Sequence, residues 1–100
     1  MASLFNYVTL KEREIRRRIK LSIWAYAYEI ESVSLVPDNI FDEECLKVDL
    51  SVQTDRPDLD LWWKKEFDPY TGQWITVHPE LARIKELYNA YYSPTRGRRV

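Results

Sequence analysis

Cysteine, histidine and glycine are nearly missing from this chain, and each scarcity closes off a kind of chemistry. The one cysteine, Cys45, has no partner for an intrachain disulfide, which agrees with a reducing compartment. With one histidine, His78, added to that one cysteine, no zinc-finger or catalytic-zinc ligand set can be built from nitrogen and sulfur donors, and no metal is expected. Gly72 and Gly97 are the only glycines, so there is no glycine-rich loop to cradle a phosphate. A Ser-His-Asp triad would have to recruit His78, which stands in a His-Pro-Glu helix start and reads better as a cap or surface residue. Cys45 falls on the inward side of an expected helix and reads as a buried, inert thiol. Carboxylates are plentiful (Asp42, Glu43, Glu44; Asp58, Asp60), but no hydrophobic pocket is visible around them in the sequence. They read as solvated charges and caps. No catalytic residue is assigned, no cofactor is required, and the expectation is a protein that binds rather than catalyses. Long apolar runs are also missing: nothing approaches the roughly 20 residues of a membrane span, nor is there an apolar signal core. The expected location is the cytoplasm.

What is present points to helices. The 100 residues fit one domain, 45% of them are hydrophobic, and five prolines are too few for a many-turned β protein. Four tryptophans and seven tyrosines supply large contact areas for a small core or a binding surface. The net charge of −1 hides an uneven distribution. Residues 1–37 carry six basic and four acidic side chains, residues 38–68 four and ten, and residues 69–100 five and two. The chain is basic at both ends and acidic in its middle.

The periodicity predicts an all-α fold of three to four helices, with a helical hairpin in the N-terminal half. Residues 1–94 form the single domain and residues 95–100 a flexible basic tail. Leu4, Phe5, Tyr7 and Val8 are anchors in the lead-in. Thr9 and Glu12 form a capping box that opens a helix running to about Glu31. Its apolar stripe is Ile15, Ile19, Ile23, Tyr26 and Ile30, with the Arg and Lys residues mostly opposite. Pro37 forces Val36 out of the helical region. Asp38 then caps a helix over about 39–48, with Ile40, Phe41, Cys45 and Leu46 inward. A loop over 49–57 leads to a helix over 58–67 capped by Asp58. The stretch from Trp74 to Val77 reads as extended. The last helix follows Pro79, with Pro79 at its first position and Leu81, Ile84, Leu87, Tyr88 and Tyr91 as its apolar face.

The most informative stretch is Ala27 to Asp42. A helix end, a short connector, a proline, an Asp and then an aromatic-Asp pair bring Tyr28 back near Phe41. Two opposed aromatic faces can clamp a flat ring. Asp38 and Asp42 lie one turn apart on the same side. Carboxylates beside an aromatic slot suit a cationic planar ring or the hydroxyls of a ribose. Tyr28-Glu29, Pro37-Asp38 and Phe41-Asp42 resemble the pattern of the small N-terminal domain of NAD-dependent DNA ligases, which recognises the nicotinamide mononucleotide half of NAD. That family has Tyr-His, a proline-containing connector and then Asp-x-x-Tyr-Asp. The resemblance implies ring contacts at Tyr28 and Phe41, ribose contacts at Asp38 and Asp42, and nicotinamide mononucleotide or NAD as ligand. Glu29 stands where the family has a phosphate-assisting His, and Phe41 replaces Tyr. His78-Pro79-Glu80-Leu81 matches a second family motif but comes much later in the chain. Nothing resembles the nucleotidyltransferase domain, its lysine nucleophile, or the zinc and helix-hairpin-helix modules. A stand-alone domain of this kind suits a small phage or mobile-element protein, acting in the host cytoplasm.

Two other surfaces compete. The acidic middle, with one of the adjacent Trp62 and Trp63 exposed, suits a protein partner, as in a phage-type modulator of a host enzyme. Arg16, Arg17 and Lys20, together with Arg96, Arg98 and Arg99 of the tail, suit salt-sensitive contacts to nucleic acid in an accessory factor.

Overall fold

A computed structural model describes residues 9–92 of the chain. Thr9 and Glu12 start the first helix as their spacing requires. The Glu12 amide donates to Thr9 Oγ1 and the Thr9 amide donates to Glu12 Oε1, each at 3.0 Å. Helix α1 spans Leu10–Glu29. It stops two residues short of the expected end because Ser32 enters the left-handed region at φ 59°. The Val33 amide then turns back to the Ala27 carbonyl at 2.8 Å. Helices α2 (Asp38–Leu46), α3 (Pro57–Glu66) and α4 (Leu81–Tyr91) follow, with a short 3₁₀ helix over Gln73–Val77. Among the described residues there is no strand, and the fold is all-α. No described helix is long and apolar enough to cross a membrane.

Helix α1 is the axis of the molecule, packed against α2, α4 and the 3₁₀ helix. Its buried face is not quite the stripe of isoleucines. Ile23 and Tyr26 are buried, but Ile15 is half-buried, Ile30 is exposed and Ile19 is 47% exposed. Glu14, Arg18, Leu21, Ser22 and Ala25, one step around the helix, are buried as well. The basic side chains therefore do not all lie on the outer face, since Arg18 is 5% exposed. The reason is the 47–56 loop, which folds across α1 and needs its backbone groups satisfied. Arg18 donates to the carbonyls of Asp49 (2.8 Å) and Val52 (3.3 Å), to Glu14 (2.8 Å) and to Asp60 (3.0 Å). Glu14 in turn accepts from the Asp49 amide at 3.1 Å, and Asp60 from the Thr54 amide and hydroxyl. An ion cluster thus occupies ground where a hydrophobic stripe was expected.

The ends of the other helices differ from the sequence expectation by a residue or two. Pro37, not Asp38, occupies the N-cap of α2, and no side chain caps it. Arg56 precedes α3, whose first residue is Pro57, so Asp58 is inside the helix rather than its cap. Pro79 lies in the turn before α4, whose N-cap position is Glu80. Of the residues expected inward, Cys45, Ile84 and Tyr88 are buried, whereas Ile40, Leu46 and Tyr91 are exposed. The stretch from Trp74 to Val77 is not extended. It winds into the 3₁₀ turn that buries Trp74 and Ile75. The Trp74 ring joins Trp63 and Phe67 of the α3 region in an aromatic cluster, with Trp63 centred 4.9 Å from Trp74 and 5.0 Å from Phe67. Trp62 packs at its edge, 4.6 Å from the His78 ring, and its indole N–H donates to the Val77 carbonyl.

Candidate functional site

The reversal after α1 leaves a cleft of about 250 Å³ between the last turns of α1, the connector and α2. Tyr28 and Glu29 reach it from α1, Asp38, Phe41 and Asp42 from α2. All four residues singled out from the sequence as ligand contacts line this one cavity. Tyr28 is 56% exposed, so its ring is not spent on core packing. Phe41 is half-buried, with Cζ against Gly72. The Asp38 carboxylate caps nothing, and neither it nor the carboxylates of Glu29 and Asp42 have an ion-pair partner among the described residues.

Sequence reasoning missed part of the lining. Trp24 lies one turn before Tyr28 on the same face, a spacing that could have shown it. Thr71 and Gly72 come from the turn before the 3₁₀ helix and carry no local signal, because tertiary packing alone brings them here. Gly72 is buried and closes the floor where α1, α2 and that turn meet. A methyl group placed on it would stand 3.5 Å from Ala25 Cβ, Glu29 Oε2 and Phe41 Cζ. One oxygen of the half-buried Glu29 carboxylate therefore lies near the cleft floor.

The charge of the cleft has one sign. Its lining holds three carboxylates and no lysine or arginine. The nearest cations have been drawn elsewhere. Lys20 sits 5.1 Å from the centre of the Trp24 ring and binds Glu44 at 3.1 Å. Arg17 is bonded to Glu14 at 3.1 Å and approaches Glu44 at 3.5 Å, and Lys47 also holds Glu44. Lys47, opposing burial, and Lys20 push the Glu44 carboxyl down to about 2. Cys45, one turn beyond Phe41, is inert: burial first, then the charges of Asp42, Glu44 and Asp68, push its thiol up to about 12.

The competing surfaces fare unevenly. Trp63 is 2% exposed and belongs to the core, so it is not a partner-contact residue, and Trp62 is half-buried against His78. Arg17 and Lys20 are committed to the ion pairs above, while Arg16 is exposed. Arg96, Arg98 and Arg99, like the expected anchors Leu4, Phe5, Tyr7 and Val8, lie outside the described residues. His78, read from the sequence as a cap or surface residue rather than a triad member, is buried and accepts the Glu80 amide on Nδ1 at 2.9 Å, which caps the approach to α4. Among the described residues no group of three or more metal-ligating side chains converges.

A second, more apolar groove of about 480 Å³ lies on another side of α1, walled by Ile15, Ile19, Leu59, Ile84 and Leu87 with Arg56 and Arg83 in its lining. Comparison with models of known families, with curated proteins and with solved structures finds no match to this chain.

Proposed function

We propose that the protein is a small, non-catalytic binding module whose α1–α2 cleft receives the nicotinamide-riboside portion of a nicotinamide nucleotide. One observation carries the reading: Tyr28, Asp38, Phe41 and Asp42, singled out on the sequence pattern alone, share a single cleft. Its volume supports the same ligand size. At about 250 Å³ the cleft is smaller than the roughly 300–1,000 Å³ that encloses a drug-sized molecule. A ring and its sugar fit that scale, whereas the second nucleotide of NAD would extend outside. In this reading Tyr28 and Phe41 face the ring, and Asp38 and Asp42 accept from ribose hydroxyls.

The test is an NMR titration of labelled protein with nicotinamide mononucleotide and NAD. Saturable shifts centred on Tyr28, Asp38, Phe41 and Asp42 are expected, and unchanged spectra at millimolar ligand would remove the proposal. Ring stacking contributes about 1–3 kcal/mol. Tyr28→Ala should therefore weaken binding about 5- to 150-fold, Asp38→Ala should weaken it too, and deletion of residues 95–100 should leave it unchanged.

A second reading, a protein-interaction module, draws support from the larger groove, whose rim residue Ile19 is 47% exposed. Under it, Ile19→Asp abolishes association with a protein partner that Tyr28→Ala leaves intact. The acidic segment itself favours this reading less, because Glu44, Asp55, Asp58 and Asp60 already pair within the chain.

A further inference from the structure

The charge of the cleft says more about its occupant than its shape does. An aromatic slot would take any flat ring, neutral or charged. Here the Trp24, Tyr28 and Phe41 side chains share their walls with Glu29, Asp38 and Asp42, and no cationic side chain is in the lining. Glu29 is half-buried, and one of its carboxylate oxygens lies near the Gly72 floor, close to the Phe41 ring tip. Lys20, Arg17 and Lys47 converge on Glu44, with Lys20 also over the Trp24 ring, and none of them forms an ion pair with Glu29.

Resting on the proposed function for the identity of the ring, we infer that the cleft selects a fixed monocation and disfavours phosphate: it binds an N-alkylated pyridinium, bare or carrying a ribose, more tightly than the 5′-phosphorylated form. A pyridinium is weakly hydrated and planar, so aromatic faces and carboxylates both favour it over a neutral ring. A phosphate on the sugar brings up to two negative charges toward three carboxylates with no arginine or lysine to receive them. The mononucleotide then loses through its phosphate what its ring gains, and the riboside does not.

The experiment compares five probes by NMR or calorimetry on the full chain at low salt: nicotinamide, 1-methylnicotinamide, nicotinamide riboside, nicotinamide mononucleotide and tetramethylammonium. 1-Methylnicotinamide should bind at least tenfold more tightly than nicotinamide. The riboside should bind several-fold more tightly than the mononucleotide, and that gap should narrow as salt screens the repulsion. Glu29→Gln, which keeps the side-chain shape, should bring the riboside and the mononucleotide closer together by strengthening the second. A mononucleotide that binds as tightly as the riboside would overturn the inference while leaving the nucleotide-binding reading standing. Equal affinity for nicotinamide and 1-methylnicotinamide would also overturn it, because stacking would then act without charge. Binding of tetramethylammonium but of none of the pyridinium probes would overturn both readings and leave a cage for alkylated amines. Silence from all five probes at millimolar concentration would overturn both as well.

Discussion

Burial pushes the His78 imidazole down to about 4 from its ordinary 6.5, although the Glu80 charge pulls the other way. The geometry agrees, since Nδ1 is already an acceptor for the Glu80 amide and cannot also carry a proton without losing that bond. The unfolded chain takes up this proton near pH 6.5 and the folded chain only near 4. The stabilisation is therefore complete above about pH 6.5 and is lost as pH falls toward 4. Asp55, Arg56, Glu80 and Arg83 line the same groove as His78, and of these Glu80 is the charge that acts on it. Thermal melts should show the melting temperature dropping between pH 7 and pH 4.5, and His78→Gln should flatten that slope. Glu44 acts in a lower window. Its folded value near 2 lies below the usual carboxylate range, so its contribution is present above about pH 4.5 and disappears as pH falls toward 2. Glu44→Gln should flatten the acid end of the same curve and leave the His78 region unchanged. At the scale of single residues the sequence pointed to a cap at His78, which accepts the amide of Glu80 two residues on, and to an inward-facing Cys45, which is buried. It could not tell that Trp63 rather than Trp62 would be the buried member of the pair, since that depends on which side of α3 meets Trp74.

Among the elements, α1 shows where periodicity succeeds and where it stops. The capping box and the absence of any helix breaker made its start legible, and its amphipathic pattern made its existence so. That Glu14 and Arg18 would be buried was not legible. An apolar pattern counts side chains, but the 47–56 loop crosses α1 with backbone carbonyls to which Arg18 donates. Arg18→Met should make the consequence measurable. It removes the donor, leaving Asp60 without its charge partner, Glu14 with Arg17 alone and the Val52 carbonyl without the guanidinium, at a cost of about 3–5 kcal/mol in denaturant unfolding. Trp63→Ala should cost a similar amount, about 3–5 kcal/mol, by opening a cavity in the aromatic cluster. Ser32→Gly should act in the opposite sense. The left-handed φ that ends α1 carries a penalty of about 1–2 kcal/mol for a residue with a Cβ, so part of that strain is released, less the entropy cost of glycine.

Over the described residues, part of the contrast between the basic N-terminal segment and the acidic middle is resolved by pairing: Lys11 meets Asp55, Arg18 meets Asp60, and Arg17 and Lys20 meet Glu44. Counting charges along the chain suggested separate binding faces, whereas folding pairs several of those charges with one another. Arg17→Ala and Lys20→Ala should accordingly change affinity for duplex DNA less than twofold at 50 mM salt, measured by fluorescence anisotropy. The candidate cleft was legible to the extent that its residues sit within one hairpin, because chain proximity brings Tyr28 to Phe41. Its floor at Gly72 was not, because that contact joins residues about thirty or more positions apart.

The tryptophans are divided in a way that has an optical consequence. Trp62, Trp63 and Trp74 lie with ring centres 4.9–6.3 Å apart, close enough for their excited states to couple, while Trp24 stands by the cleft with Lys20 as its neighbour. Near-ultraviolet circular dichroism of the three-ring group reports on the integrity of the core, and emission from Trp24 reports on the cleft. A pyridinium is a good electron acceptor, so under the proposed function its arrival beside Trp24 should dim the emission while the dichroism of the trio stays constant. The two signals would then separate occupancy from unfolding without any label.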